Sequence, residues 1–158
     1  MMRVVSGLLI PRDDWAIPEH NCGLVRAALF SIVAVQPEAK KVVAIVDDDE
    51  FMRSALQGLL RAAGLPVQAF GSAEEFLKSG QRQQTGCLIA DIRMPGMSGL
   101  ELQAKLNAEH CRIPTIFITA HGDASLRMQA LRAGAAEFLT KPFDDEVLLD
   151  NVRAALGS

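Results

Sequence analysis

Four stretches of this chain hold residues whose types and spacing could do chemistry: Asp47-Asp48-Asp49-Glu50, Asp91, Thr119 and Lys141. Each falls at the end of what reads as a buried strand. Asp47 and Asp48 are adjacent carboxylates, and crowding them against a third carboxylate costs free energy unless a cation neutralises them. A site of hard oxygen ligands beside a phosphate suits Mg²⁺. The plain alternative is a solvated acidic helix start, favoured by the helix dipole; that description fits Asp49 and Glu50, which are assigned to the helix. Asp91 ends an apolar run, where a carboxylate is costly unless ligated or paired. An aspartate oxygen can also attack phosphorus to give an acyl phosphate. Thr119 could donate its hydroxyl to a phosphoryl oxygen, although threonine is common in strands for packing alone. Lys141 is a point charge able to pair with carboxylate or phosphate. Together these are the parts needed to accept a phosphoryl group on an aspartate and to sense its arrival.

The elements that must position them read clearly from residue 41 onward. Val42–Val46 is a continuous apolar run, as expected of a strand covered on both faces. Met52, Ala55, Leu56, Leu59, Leu60 and Ala63 recur at helical spacing, and Gly64 ends that helix. Pro66–Phe70 reads as a second strand; Ser72 caps a helix through Leu77, with Glu75 in capping-box position. Cys87–Ala90 is a third strand, followed by a loop from Arg93 to Gly99 in which Pro95 and two glycines favour a tight turn. Ile113–Ile118 is a fourth strand, with a helix near 123–133. Ala136–Thr140 is a fifth, with a last helix over 144–156 whose apolar positions are Val147, Leu148, Val152 and Leu156. Strict alternation of strand and helix predicts a parallel sheet with helices on both faces. In such sheets ligands bind outside the carboxyl ends of the strands, where all four chemical stretches fall.

Composition bounds the rest. A chain of 158 residues, 49% hydrophobic, can bury a core. Its net charge of −3 argues against a broad nucleic-acid-binding face. Cys22, Cys87 and Cys111 have no short paired spacing, so free thiols in a reducing cytoplasm are expected rather than zinc or disulfides. No stretch reaches the roughly 20 apolar residues of a membrane span. Residues 1–40 differ from the remainder: they carry the only Trp and three of the seven prolines. They read as an N-terminal extension, with a short helix over 22–35, a disordered tail, or sequence upstream of the natural start as the open readings. Residues 41–158 form the second region.

From Lys41 on, the sequence resembles the receiver domain of two-component response regulators. The likeness runs through Val46-Asp47-Asp48-Asp49, Asp91 in its D-I-R-M-P-G-M-S-G string, Thr119 and Lys141-Pro142-Phe143, in the family's order. The strings D-I-R-M-P-G-M-S-G and I-T-A-H-G-D are further similar to FixJ-class receivers. The resemblance implies an α/β, flavodoxin-like, doubly wound (βα)5 fold with a five-stranded parallel sheet of order 2-1-3-4-5. It implies Mg²⁺ held by Asp48, Asp91 and the Arg93 carbonyl, with Asp47 helping through water. Asp91 would take phosphate from a histidine kinase or phosphotransfer protein, Lys141 would pair with that phosphate, and the Lys141–Pro142 bond would be cis. Thr119 and Phe138 would form a switch pair, although core packing alone also accounts for Phe138. Such a module is a signalling protein rather than an enzyme turning over a substrate. Its output would be a downstream protein partner, or a homodimer through the face of the 123–133 helix and the 136–140 strand.

Two departures bear on this. The switch position is Phe where some receivers have Tyr, and no helix-turn-helix follows the last helix, so DNA binding is not expected of this chain. A phosphatase of the haloacid dehalogenase kind also uses Asp, Thr, Lys and Mg²⁺, but carries its nucleophilic D-x-D after the first strand; here the acidic pair comes first and Asp91 third. A flavodoxin-type flavin carrier would need a phosphate loop where Asp47 to Glu50 would repel phosphate.

Overall fold

The computed structural model describes residues 2–5, 8–11 and 41–157. Two compact units divide the chain, Met1–Glu38 and Ala39–Ser158. In the first, strands β1 (Met2–Val5) and β2 (Leu8–Pro11) pair antiparallel, with Val5 opposite Leu8. This strand pair is not anticipated in the sequence analysis. Two four-residue runs flanking Ser6-Gly7 were the available signal. The helix expected over 22–35 lies outside the described residues.

The second unit alternates β3 (Val42–Val46), α1 (Glu50–Ala62), β4 (Val67–Phe70), α2 (Ala73–Lys78), β5 (Thr85–Asp91), α3 (Gly99–Ala108), β6 (Thr115–Thr119), α4 (Ala124–Arg132), β7 (Glu137–Thr140) and α5 (Asp145–Ala155). All pairs in the sheet are parallel, in order β4-β3-β5-β6-β7. Counted from Val42 this is the expected 2-1-3-4-5, a flavodoxin-like sheet.

Successive strand residues face opposite sides, so each strand feeds two cores. Val43 and Ile45, Cys87 and Ile89, and Ile116 and Ile118 pack with Leu56, Leu60, Leu148 and Val152 of α1 and α5. Ala44 and Val46, Leu88 and Ala90, and Phe117 pack instead with Phe76, Leu102, Ala130 and Phe138. The central strands therefore carry no polar side chain between their ends. Their backbones have no solvated face, and the only polar groups they can present lie at their ends.

Helix ends follow local chemistry. Asp49 is the N-cap of α1, accepting from the Phe51 and Met52 N–H groups, as its assignment to the helix start requires. Gly64 closes α1 at φ +78°, with the Leu65 N–H returning to the Leu60 carbonyl. At α2, Ser72 accepts the Glu75 N–H, but the Glu75 carboxylate reaches back to the Gly71 N–H at 2.8 Å, one residue before the cap. The full capping box forms instead at Ser98 and Glu101 of α3. Two apolar positions differ from the helical reading. Ala55 is exposed. Val147 is 43% exposed, and the buried stripe of α5 runs through Leu148, Leu149 and Val152. A one-residue step on a helix turns the side chain by about 100°, which carries Val147 off that stripe.

Candidate functional site

The sheet order explains why residues far apart in sequence meet. β3 and β5 are neighbours with Val46 opposite Ala90, so Asp47 and Asp91 emerge side by side. β6 and β7 pair Thr119 with Thr140, and the Lys141 N–H donates to the Thr119 carbonyl at 2.9 Å. One carboxylate oxygen each from Asp47, Asp48 and Asp91 lies within 4.8 Å of the others. Asp47 is buried, Asp48 exposed, and Asp91 between the two. Lys141 Nζ stands 3.7 Å from Asp91 Oδ2 and 3.9 Å from Asp47 Oδ2, a Coulombic pairing too long for a hydrogen bond. The Lys141–Pro142 peptide is cis, as expected.

Backbone N–H groups hold the carboxylates of Asp47 and Asp91. Asp47 Oδ1 accepts the Asp49 N–H at 2.9 Å, and the Asp47 carbonyl accepts from Arg53 Nη1 at 2.7 Å. Asp91 Oδ1 accepts the N–H of Arg93, itself exposed, at 3.0 Å. That leaves Asp91 Oδ2 facing Lys141. Burial pushes the Asp47 carboxyl above its ordinary range; the Asp49 N–H opposes this, and the neighbouring Asp91 charge adds to it. Burial likewise raises Asp91, against the Arg93 N–H and the Lys141 charge, while Asp48 adds repulsion. Three carboxylates thus share one ammonium, and the protein alone leaves negative charge unneutralised. The donor set is all hard oxygen, fixed on the Asp47 and Asp91 sides and open to water at Asp48. It fits a small divalent cation that keeps part of its hydration shell.

Thr119 is buried at the end of β6, its Oγ1 accepting the His121 N–H at 3.3 Å. Phe138 lies on the edge strand β7 yet is only 2% exposed. It therefore packs in the core although its strand is an edge strand. A Cβ added at Gly122 would stand 2.8 Å from Phe138 Cε1 and 2.7 Å from Thr140 Oγ1. The loop after Thr119 therefore rests on the Phe138 ring and has room only for glycine. Arg127 closes the outer side, donating from Nη1 to the Phe138 carbonyl at 3.1 Å, with Nη2 3.6 Å from Glu137 Oε1.

Sequence reasoning missed three supports. Arg53 braces the Asp47 carbonyl. Gly122 seats the loop on Phe138. Glu74 Oε1 accepts the Met97 N–H at 2.8 Å, tying the loop that follows Asp91 to the start of α2. That hydrogen bond holds the Glu74 carboxyl below the usual range. Gly96, at φ +76°, lets the loop turn beneath Glu74, where a Cβ would stand 2.8 Å from Oε1. Only Gly122 had a sequence signal, as a glycine just after a strand.

Residues 43–153 match the response regulator receiver domain family. The chain is 48% identical over 120 residues to Nodulation protein W of Bradyrhizobium diazoefficiens, covering 76% of this chain and 53% of that protein. It is 46% identical over 115 residues to the transcriptional regulatory protein FixJ of Azorhizobium caulinodans, covering 73% and 54%. It thus spans about half the length of the curated relatives it matches. Among solved structures, that of FixJ-N superposes with a TM-score of 0.69 at 39% identity, covering 75% of this chain and 95% of that one.

Proposed function

The chain belongs to the response regulator receiver domain family of two-component systems, and on that footing we propose that Asp91 accepts a phosphoryl group from the phosphohistidine of a histidine kinase or phosphotransfer protein. The observation that carries this is the meeting of Asp91, two further carboxylates and Lys141 at the ends of three parallel strands. With the acidic pair after the first parallel strand and the nucleophile after the third, the arrangement does not support the phosphatase alternative.

The Arg93 N–H fixes Asp91 Oδ1, which leaves Oδ2 as the attacking atom. That oxygen forms the P–O bond as the P–N bond to the donor imidazole breaks; the electron pair stays on the imidazole nitrogen, which takes a proton. Asp91 must be ionised to attack, and Lys141, at 3.7 Å, opposes the burial that would keep it protonated. Lys141 is then within reach of the phosphoryl oxygens. Asp47, Asp48, Asp91 and the Arg93 carbonyl would hold Mg²⁺. The ion would supply charge neutralisation at the transferring group. Thr119 would turn its hydroxyl from the His121 N–H to a phosphoryl oxygen, passing the change to Phe138.

The reading carries a cytoplasmic location, where phosphodonors are made, and the free thiols of Cys87 and Cys111 are consistent with it. Among the described residues no helix is long and apolar enough to cross a membrane. The output would be a protein partner, or a second copy, at the α4–β7 face. The test is labelling by acetyl phosphate. We expect Mg²⁺-dependent, hydroxylamine-sensitive label on the native chain and none on Asp91→Asn. Label surviving in that variant would move the acceptor elsewhere.

A further inference from the structure

The loop that joins Asp91 to α3 is closed at its base and exposed at its tip. At the base the Gly99 N–H donates to the Ile92 carbonyl at 3.0 Å, and a Cβ at Gly99 would collide with the Asp91 carbonyl oxygen. That end has no slack. At the tip Arg93, Pro95 and Gly96 are exposed, and Gly96 stands at φ +76°. Two things hold this stretch: the Met94 side chain, buried in the core, and the Met97 N–H, which donates to Glu74 Oε1 at 2.8 Å. The second tie spans 23 residues of sequence and joins the loop to another element.

Glu75, the next residue, does similar chemistry locally, accepting the Gly71 N–H four positions back at 2.8 Å. Both glutamates sit in the first turn of α2, yet only Glu74 reaches the loop that follows Asp91. A carboxylate acceptor makes a stronger hydrogen bond than a neutral one. Partners that orient a metal's ligands from outside the coordination sphere carry much of its affinity. We propose that Glu74 is a positioning residue for the cation site: by holding the Met97 N–H it fixes the stretch that carries the Arg93 carbonyl, and so raises the affinity for Mg²⁺. The inference rests on the reading of that carbonyl as a metal ligand.

The experiment titrates Mg²⁺ into the isotope-labelled full chain and its variants, with no phosphoryl donor, and reads affinity from saturable amide shifts. Glu74→Ala should bind Mg²⁺ about tenfold more weakly. Glu74→Gln keeps an acceptor oxygen and should stay within about threefold of the native chain. Glu75→Ala removes the same charge from the same helix turn, away from the loop, and should bind as the native chain does. Before metal is added, the Arg93 amide should exchange with solvent about tenfold faster in Glu74→Ala than in the other chains, although its own acceptor, Asp91 Oδ1, is untouched. Glu74→Met keeps the side-chain length without the acceptor and gives the same comparison should Glu74→Ala not fold. Native affinity in the Ala variant at 74 would overturn the proposal. So would an equal loss in Glu75→Ala, which would trace the effect to charge or to α2 as a whole. A native chain without saturable Mg²⁺ shifts would sink the metal reading instead; Arg93 exchange would then decide the role of Glu74 by itself, an unchanged rate overturning it.

Discussion

At the scale of single residues, the acidic site is a place where folding works against itself. Asp47 and Asp91 are carried into the protein by apolar strands, and burial raises both carboxyls. A carboxyl whose folded value lies above its unfolded value, about 3.9 for Asp, contributes stability below that value and loses it as pH rises through the folded value. Without divalent cations these two groups should therefore cost stability as pH climbs from about 4 through their raised values, and Mg²⁺ should restore it by binding only the compact state. Thermal melts across pH with and without Mg²⁺ check this; curves that coincide would contradict it. Asp91→Asn removes one of the three charges. It should raise the metal-free melting temperature by a few degrees and weaken Mg²⁺ binding by at least about tenfold, a 1.4 kcal/mol loss. These residues were legible in the sequence because packing does not explain them: carboxylates ending apolar strands need another reason. Arg53 and Glu74 were not legible, since an exposed-looking Arg or Glu gains its role only once a distant carbonyl or N–H is folded against it.

At the scale of elements, the proposed coupling from Thr119 to Phe138 would run through three residues of loop. Thr119 Oγ1 holds the His121 N–H, and Gly122 rests on the Phe138 ring. Moving the hydroxyl would free that N–H and the loop behind it. Thr119→Ala should still accept phosphate on Asp91 yet lose most of the phosphate-dependent shift of amides around Phe138; undiminished shifts would sink the coupling. Gly122→Ala should act from the other side. Its methyl has no room beside the ring, so it should cost roughly 1–3 kcal/mol in a denaturant melt and displace Phe138 without any phosphoryl group. The strands were readable because a doubly covered strand is apolar between its ends, and alternation implied a parallel sheet; their order came only with the resemblance to receiver domains. Helix faces were less so. Val147 and Leu149 are both apolar, and which one enters the core depends on how α5 is rotated against β3 and β5, which periodicity over so short a helix leaves open.

At the scale of the whole molecule, every residue of the acidic site belongs to the unit Ala39–Ser158. A chain beginning at Ala39 should fold and accept phosphate at a rate within about twofold of the full chain, a difference below 0.5 kcal/mol. Aggregation or lost labelling would show that the first unit completes the second. The β1–β2 hairpin was the largest feature absent from the sequence reading, because two runs of four residues are too short to separate from one longer apolar stretch.

If the carboxylate of Asp91 accepts the phosphoryl group, the acceptor can be marked chemically. An aspartyl phosphate is reduced by borohydride to homoserine, which marks the acceptor in the sequence itself. After treatment with acetyl phosphate and Mg²⁺, then borohydride, peptide mapping should find homoserine at position 91 alone. Homoserine at position 47 or 48, with position 91 unchanged, would contradict the account.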